Sequence, residues 1–88
     1  MKSKIKVIKY SVESEVEISL PYFCKSQTFA YKVFSETKCI QVCYNSIVDL
    51  SVQICSSQLA FCNPQNEISE KQFIDLYNQT IDGIAKNI

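Results

Sequence analysis

The chain has 88 residues, nine of them acidic and nine basic, so its formal net charge at neutral pH is zero. It contains no His, Arg or Trp and a single Gly, Gly83. These absences exclude histidine-dependent catalysis, the arginine fork that grips phosphates and carboxylates, and the glycine-rich loops of nucleotide-binding folds.

The first ten residues carry four lysines (Lys2, Lys4, Lys6, Lys9) and no acid. Ser3 to Tyr10 is lysine-rich and β-branched and reads as a first strand. The next stretch alternates with period two. Val12, Ser14, Val16, Ile18, Leu20, Tyr22 and Cys24 share one phase, while Ser11, Glu13, Glu15, Glu17 and Ser19 share the other. One apolar and one acidic face at this spacing define a half-buried strand. Pro21 has no N–H for the ladder, so the strand is expected to bend there or lie at an edge. Lys4, Lys6 and Lys9 are expected across a hairpin from Glu13, Glu15 and Glu17. Such opposite-charge pairs are worth about 0.2–1 kcal/mol each.

Thr28 to Phe34 and Lys38 to Tyr44 are aromatic and β-branched, and short polar links flank them. Ile47 to Cys55 alternates again, with Val48, Leu50, Val52 and Ile54 on one side. Short links favour an antiparallel meander, because parallel strands need long crossovers. Gln58 to Cys62 is too short to separate strand from helix. Asn63 to Asn66 is a loop.

The last segment opens with Ser69-Glu70-Lys71-Gln72, a capping box. Ile68 and Phe73 stand at the spacing of a hydrophobic staple. Phe73, Leu76, Tyr77, Thr80, Ile81, Ile84 and Ile88 recur at threes and fours, which predicts an amphipathic helix. Gly83 marks either fraying or a close approach.

The expected fold is therefore α+β: an antiparallel β-meander sheet of four to five strands with one C-terminal α-helix packed across one face. Residues 1–88 form a single small domain, since 47% hydrophobic and 20% charged residues suit one folded unit. The expected core is Val16, Ile18 and Leu20; Phe29, Tyr31 and Val33; Ile40 and Val42; Val48, Leu50, Val52 and Ile54; and Phe73, Leu76, Tyr77, Ile81 and Ile84.

Five cysteines are too few for a short disulfide scaffold, and their odd number leaves at least one thiol unpaired. Buried structural thiols in a reducing cytoplasm are the expectation, with Cys62 the most accessible. Cys39 and Cys43 lie about 13 Å apart along a strand, too far to share one ion, and no C-x2-C pair is present. No metal ion or cofactor is expected. No catalytic residue is expected either, because nothing marks an activated thiol or a split carboxylate pair.

Three apolar side chains fall off phase: Phe23, Phe34 and Ile47. With one face of the sheet in the core, these three would form an apolar patch on the other, the candidate partner-binding residues of the chain. Burial by a bulge or sheet twist is the competing expectation. The leading function is thus a non-enzymatic protein-interaction or self-associating module, binding another protein or a second copy. The alternative is a nucleic-acid-binding accessory protein using the lysine-rich N-terminus, although lysines also guard edge strands. A small cysteine or carboxylate enzyme comes third. No apolar run approaches a membrane span and no signal-peptide pattern follows the basic start, so a cytoplasmic location is expected. Lys without Arg, with eleven Ile, is the bias of an AT-rich genome and fits a bacterial or phage accessory protein.

Overall fold

A computed structural model describes residues 2–45, 50–62 and 65–86. Its order is β1 (Lys2–Lys9), β2 (Val12–Ser19), β3 (Tyr22–Lys25), β4 (Phe29–Val33), β5 (Lys38–Cys43) and β6 (Ser51–Ser56). A 3-10 turn (Ser57–Phe61), β7 (Asn66–Glu67) and α1 (Glu70–Lys86) follow. The fold is α+β, with every strand pairing antiparallel.

β1 and β2 form the expected hairpin as a two-stranded sheet of their own. Lys4 stands opposite Glu17 and Lys6 opposite Glu15, but Lys9 faces Val12 rather than a glutamate. Ion pairs, both diagonal in the ladder, join Lys2 to Glu17 at 3.7 Å and Lys6 to Glu13 at 3.0 Å. The connection is only Tyr10 and Ser11, with φ of 53° and 64°. A two-residue hairpin turn with both φ positive matches the right-handed twist of its strands, and Asn-Gly is its usual sequence. Neither residue is present here, which is why no turn signal is legible.

The run from Val12 to Cys24 is two strands in two sheets, not one. The chain leaves β2 at Ser19 and enters β3 at Tyr22. Pro21, with no N–H to offer a ladder, sits in the break. β3 to β6 then form the meander, and β7 adds a short fifth strand beside β3 in the order β6-β5-β4-β3-β7.

Both faces of this sheet are buried. On one, Cys24, Tyr31, Val33 and Cys39 pack against Ile5, Val7 and Ile18 of the hairpin and Ala60 of the 3-10 turn. On the other, Phe23, Ala30 and Val42 pack beneath Phe73 of α1. A strand buried on both faces has no polar phase, and β4 and β5 read that way. The polar groups on the hairpin side are joined in a chain. Gln53 Nε2 donates to Gln41 Oε1 at 2.6 Å, and Gln41 Nε2 donates to the Tyr31 hydroxyl at 3.1 Å. A buried amide linked at both ends avoids the cost of an unpaired polar group.

The helix begins as its sequence indicates. Gln72 N–H donates to Ser69 Oγ at 3.1 Å, and Ser69 N–H donates to Gln72 Oε1 at 2.9 Å. Ile68 packs into the same cluster as Phe73, completing the staple. Near the other end, a Cβ on Gly83 would lie 2.5 Å from Leu50 Cδ1. The single glycine thus admits a side chain from the segment preceding β6.

Several expected core positions stand elsewhere. Ile54 is 68% exposed, because β6 is the outer strand of the sheet. Tyr77 and Ile81 are exposed as well, since the sheet occupies only the Phe73–Thr80 side of the helix. Gln58 to Cys62 belongs to neither strand nor α-helix but mostly to the 3-10 turn. Val48 and Ile88 lie outside the described residues.

Replacing Ser69 by Ala removes one half of the reciprocal cap. Urea denaturation of Ser69→Ala is expected to show a loss of about 1 kcal/mol with an unchanged denaturant slope.

Candidate functional site

Chemistry-bearing side chains come first, because their environment decides what they can do. Cys24, Cys39 and Cys43 are buried, and Cys55 and Cys62 are partly buried. Cys24 Sγ donates to the Ala60 carbonyl at 3.8 Å and Cys39 Sγ to the Ser56 carbonyl at 3.5 Å. Burial pushes both thiols up to about 12. At neutral pH they carry no thiolate, the form that attacks and ligates. Cys62, expected to be the accessible thiol, is partly buried and donates to the Gln58 carbonyl at 3.2 Å. Cys55, directly opposite the buried Cys39, is partly exposed like Cys62. Among the described residues no group of three His, Cys, Asp or Glu side chains stands close enough to hold a metal ion.

The carboxylates and lysines share one surface. Glu13, Glu15 and Glu17 lie on the outer face of the hairpin with Lys4 and Lys6. The Glu13 partner raises the Lys6 amino group above its ordinary value. This face is interleaved in sign, which removes the uniform positive potential that a phosphate backbone requires.

A polar cleft of about 450 Å³ is lined by Lys25, Ser26, Gln27, Tyr44, Asn45, Gln65 and Asn66. Gln65 Oε1 is buried there with no hydrogen-bond partner among the described residues, while two other lining groups bond within the cleft. The Tyr44 hydroxyl donates to the Ser26 carbonyl and Asn45 Nδ2 donates to the Gln27 carbonyl at 3.0 Å.

The three off-phase residues do not form one patch. Phe23 is 8% exposed and buried under α1, its ring centroid 5.5 Å from that of Phe73. The outer face on which it was expected is the helix-covered face, so Phe23 is a core residue. Phe34 follows β4 and is 42% exposed. Ile47 lies outside the described residues.

Phe23 nonetheless leads to an apolar groove of about 230 Å³ between α1 and the sheet. It is lined by Phe23, Lys32, Ile40, Glu70, Phe73, Ile74 and Tyr77. The Lys32 ammonium lies 5.8 Å from the Phe23 ring centroid, a cation over an aromatic face. Ile74 is 45% exposed, and Tyr77 and Ile81 continue its line along α1. Across the sheet Ile40 pairs with Ile54, so the apolar surface runs from α1 through Ile40 to the β6 edge.

No protein-family model, curated protein or solved structure matches this chain.

Sequence reasoning missed Ile54, Ile74, Tyr77 and Ile81 as surface. Ile54, Tyr77 and Ile81 fit the apolar phase of their elements, and that phase alone predicts core positions. Only Ile74 carried a usable signal, because it is an isoleucine outside the threes-and-fours stripe. The extent of exposure depends on how far α1 reaches across the sheet, which periodicity does not encode.

The two buried thiols give a pH signature. In the unfolded chain they ionise near pH 8.5–9, in the folded chain only near 12. Above about pH 9 the unfolded state releases protons that the folded state keeps. Their contribution is fully present below that point and is lost as pH rises toward 12. Denaturant stability is expected to fall over this interval by at most about 1.4 kcal/mol per pH unit and thiol. A Cys24→Ala, Cys39→Ala double variant is expected to show a shallower fall.

Proposed function

We propose that the chain is a non-enzymatic protein-interaction module. Its docking surface is the apolar strip from the outer side of α1, across the Phe23–Ile40 groove, to Ile54. One observation carries this reading: Ile54, Ile74, Tyr77 and Ile81 remain exposed beside a groove with an apolar floor. A contiguous apolar surface with polar margins is what protein partners bury. Lys32, set between Phe23 and Ile40 in the sheet, and Glu70 of α1 are the charged groups lining the groove and offer polar contacts that fix orientation.

The chemistry elsewhere supports binding over catalysis. Cys24 and Cys39, held neutral by burial, offer no nucleophile at physiological pH, and His is absent from the sequence. What weighs against a nucleic-acid role for the N-terminal lysines is their setting. Lys2 and Lys6 are each engaged by a glutamate of β2. The composition bias fits a small accessory protein whose activity lies in what it binds.

Affinity capture with the full chain, followed by mass spectrometry, tests the reading. Ile74→Asp places a charge in the strip at an exposed helix position, so the fold and its melting temperature are expected to survive. The expected result is a specific host protein retained by the wild type and lost by the variant. Equal capture by wild type and a folded Ile74→Asp variant contradicts the proposed surface.

A further inference from the structure

β6 is an edge strand with one side in use. Its inner side pairs with β5 over its whole length, and among the described residues no strand pairs with its outer side. The phase of the ladder is fixed by Ser57 N–H, which donates to the Thr37 carbonyl at 3.0 Å. Antiparallel pairs alternate between hydrogen-bonded and non-hydrogen-bonded. Ser51, Gln53 and Cys55 therefore bond inward to β5. Val52 and Ile54 direct their N–H and C=O groups outward.

Open edges are usually guarded by charge, proline, a bulge or short length. The other edges of this protein are guarded. β1 and β2 alternate lysines and glutamates, and β7 has two residues. β6 has none of these devices. Its six residues, Ser51 to Ser56, include no charge, Pro or Gly, and its register with β5 is unbroken. No charged residue occurs anywhere between Asp49 and Glu67.

That absence favours a second copy as the partner. A two-fold antiparallel pair sets the residue at the axis against its own copy and every other residue against the one equally far beyond the axis. A charge at the axis would meet a like charge, which is destabilising, and an uncharged strand escapes this in every register. A contact with a different protein imposes no such condition, and commonly exploits complementary charge. An uncharged, unguarded strand with an exposed isoleucine at its middle meets the requirement of self-pairing.

We infer that β6 pairs antiparallel with β6 of a second copy. Two five-stranded sheets then join into one. Ile54 stands against Ile54 of the copy on the α1 side, continuing the apolar strip across the axis. The inference rests on the interaction-module reading and names the partner at the β6 end of that strip.

Light scattering on the full chain over a range of concentrations reads the mass directly. The wild type is expected to be a dimer that dissociates on dilution. Ile54→Lys, which puts two ammonium groups at the axis, is expected to be monomeric with an unchanged far-ultraviolet spectrum. Amide hydrogen exchange on the wild type gives a second readout that needs no variant. The Val52 and Ile54 amides are expected to be protected in the dimer and to lose protection on dilution. A chain monomeric at every concentration overturns the inference. So does a dimer whose Val52 and Ile54 amides exchange freely, because it uses another surface. A monomer that still loses a host partner on Ile74→Asp overturns self-pairing and leaves the interaction reading standing. A β6 dimer with no Ile74-dependent partner does the reverse.

Discussion

A five-stranded sheet has two faces to keep from water, and in this protein neither layer of cover is large. The hairpin and the 3-10 turn seal one face around Ile5, Val33 and Cys39. One helix seals the other, chiefly through Phe73 on Phe23, Ala30 and Val42. A chain this short buries a modest share of its surface, so losing either layer exposes a face whose side chains have no polar alternative. Other features follow from this demand. The cysteines serve as small apolar fillers, the glutamine chain ties up polar atoms under the hairpin, and Gly83 admits Leu50 beneath the end of α1.

Economy of cover also creates the candidate site. The single helix α1 contacts β3 to β6, but it covers the β6 side near Leu50 and Val52 and leaves Ile54 uncovered. The apolar phase of β6 continues past it to Ile54, and the apolar arc of α1 continues past the sheet to Ile74 and Ile81. The strip that remains is the residue of two-faced burial by minimal elements. The uncharged strand β6 stands at its end, where the proposed protein partner and the proposed second copy would meet.

The α+β architecture, the strand meander, the charged hairpin and the capped helix were all legible, because each rests on local pattern. Glu13, Glu15 and Glu17 alternate with apolar residues, and Ser69 with Gln72 marks a helix start by chemistry alone. The second layer was not legible. Pro21 marks a bend, but period two continues from β2 through it into β3, and nothing in the spacing shows that the chain changes sheets there. Phe23 therefore looked like a surface aromatic, although its phase is the one that α1 covers. The reach of α1 across the sheet, which decides Ile54 and Tyr77, is likewise a property of packing and not of sequence spacing.

The central claim is that hairpin, sheet and helix form one cooperative unit because each face of the sheet depends on its cover. Native-state hydrogen exchange at increasing denaturant measures this directly. Amides of Val7 in the hairpin, Tyr31 in β4 and Leu76 in α1 are expected to merge into one global opening with the same free energy and denaturant slope. A helix or a hairpin that opens separately, with β4 still protected, would contradict the account.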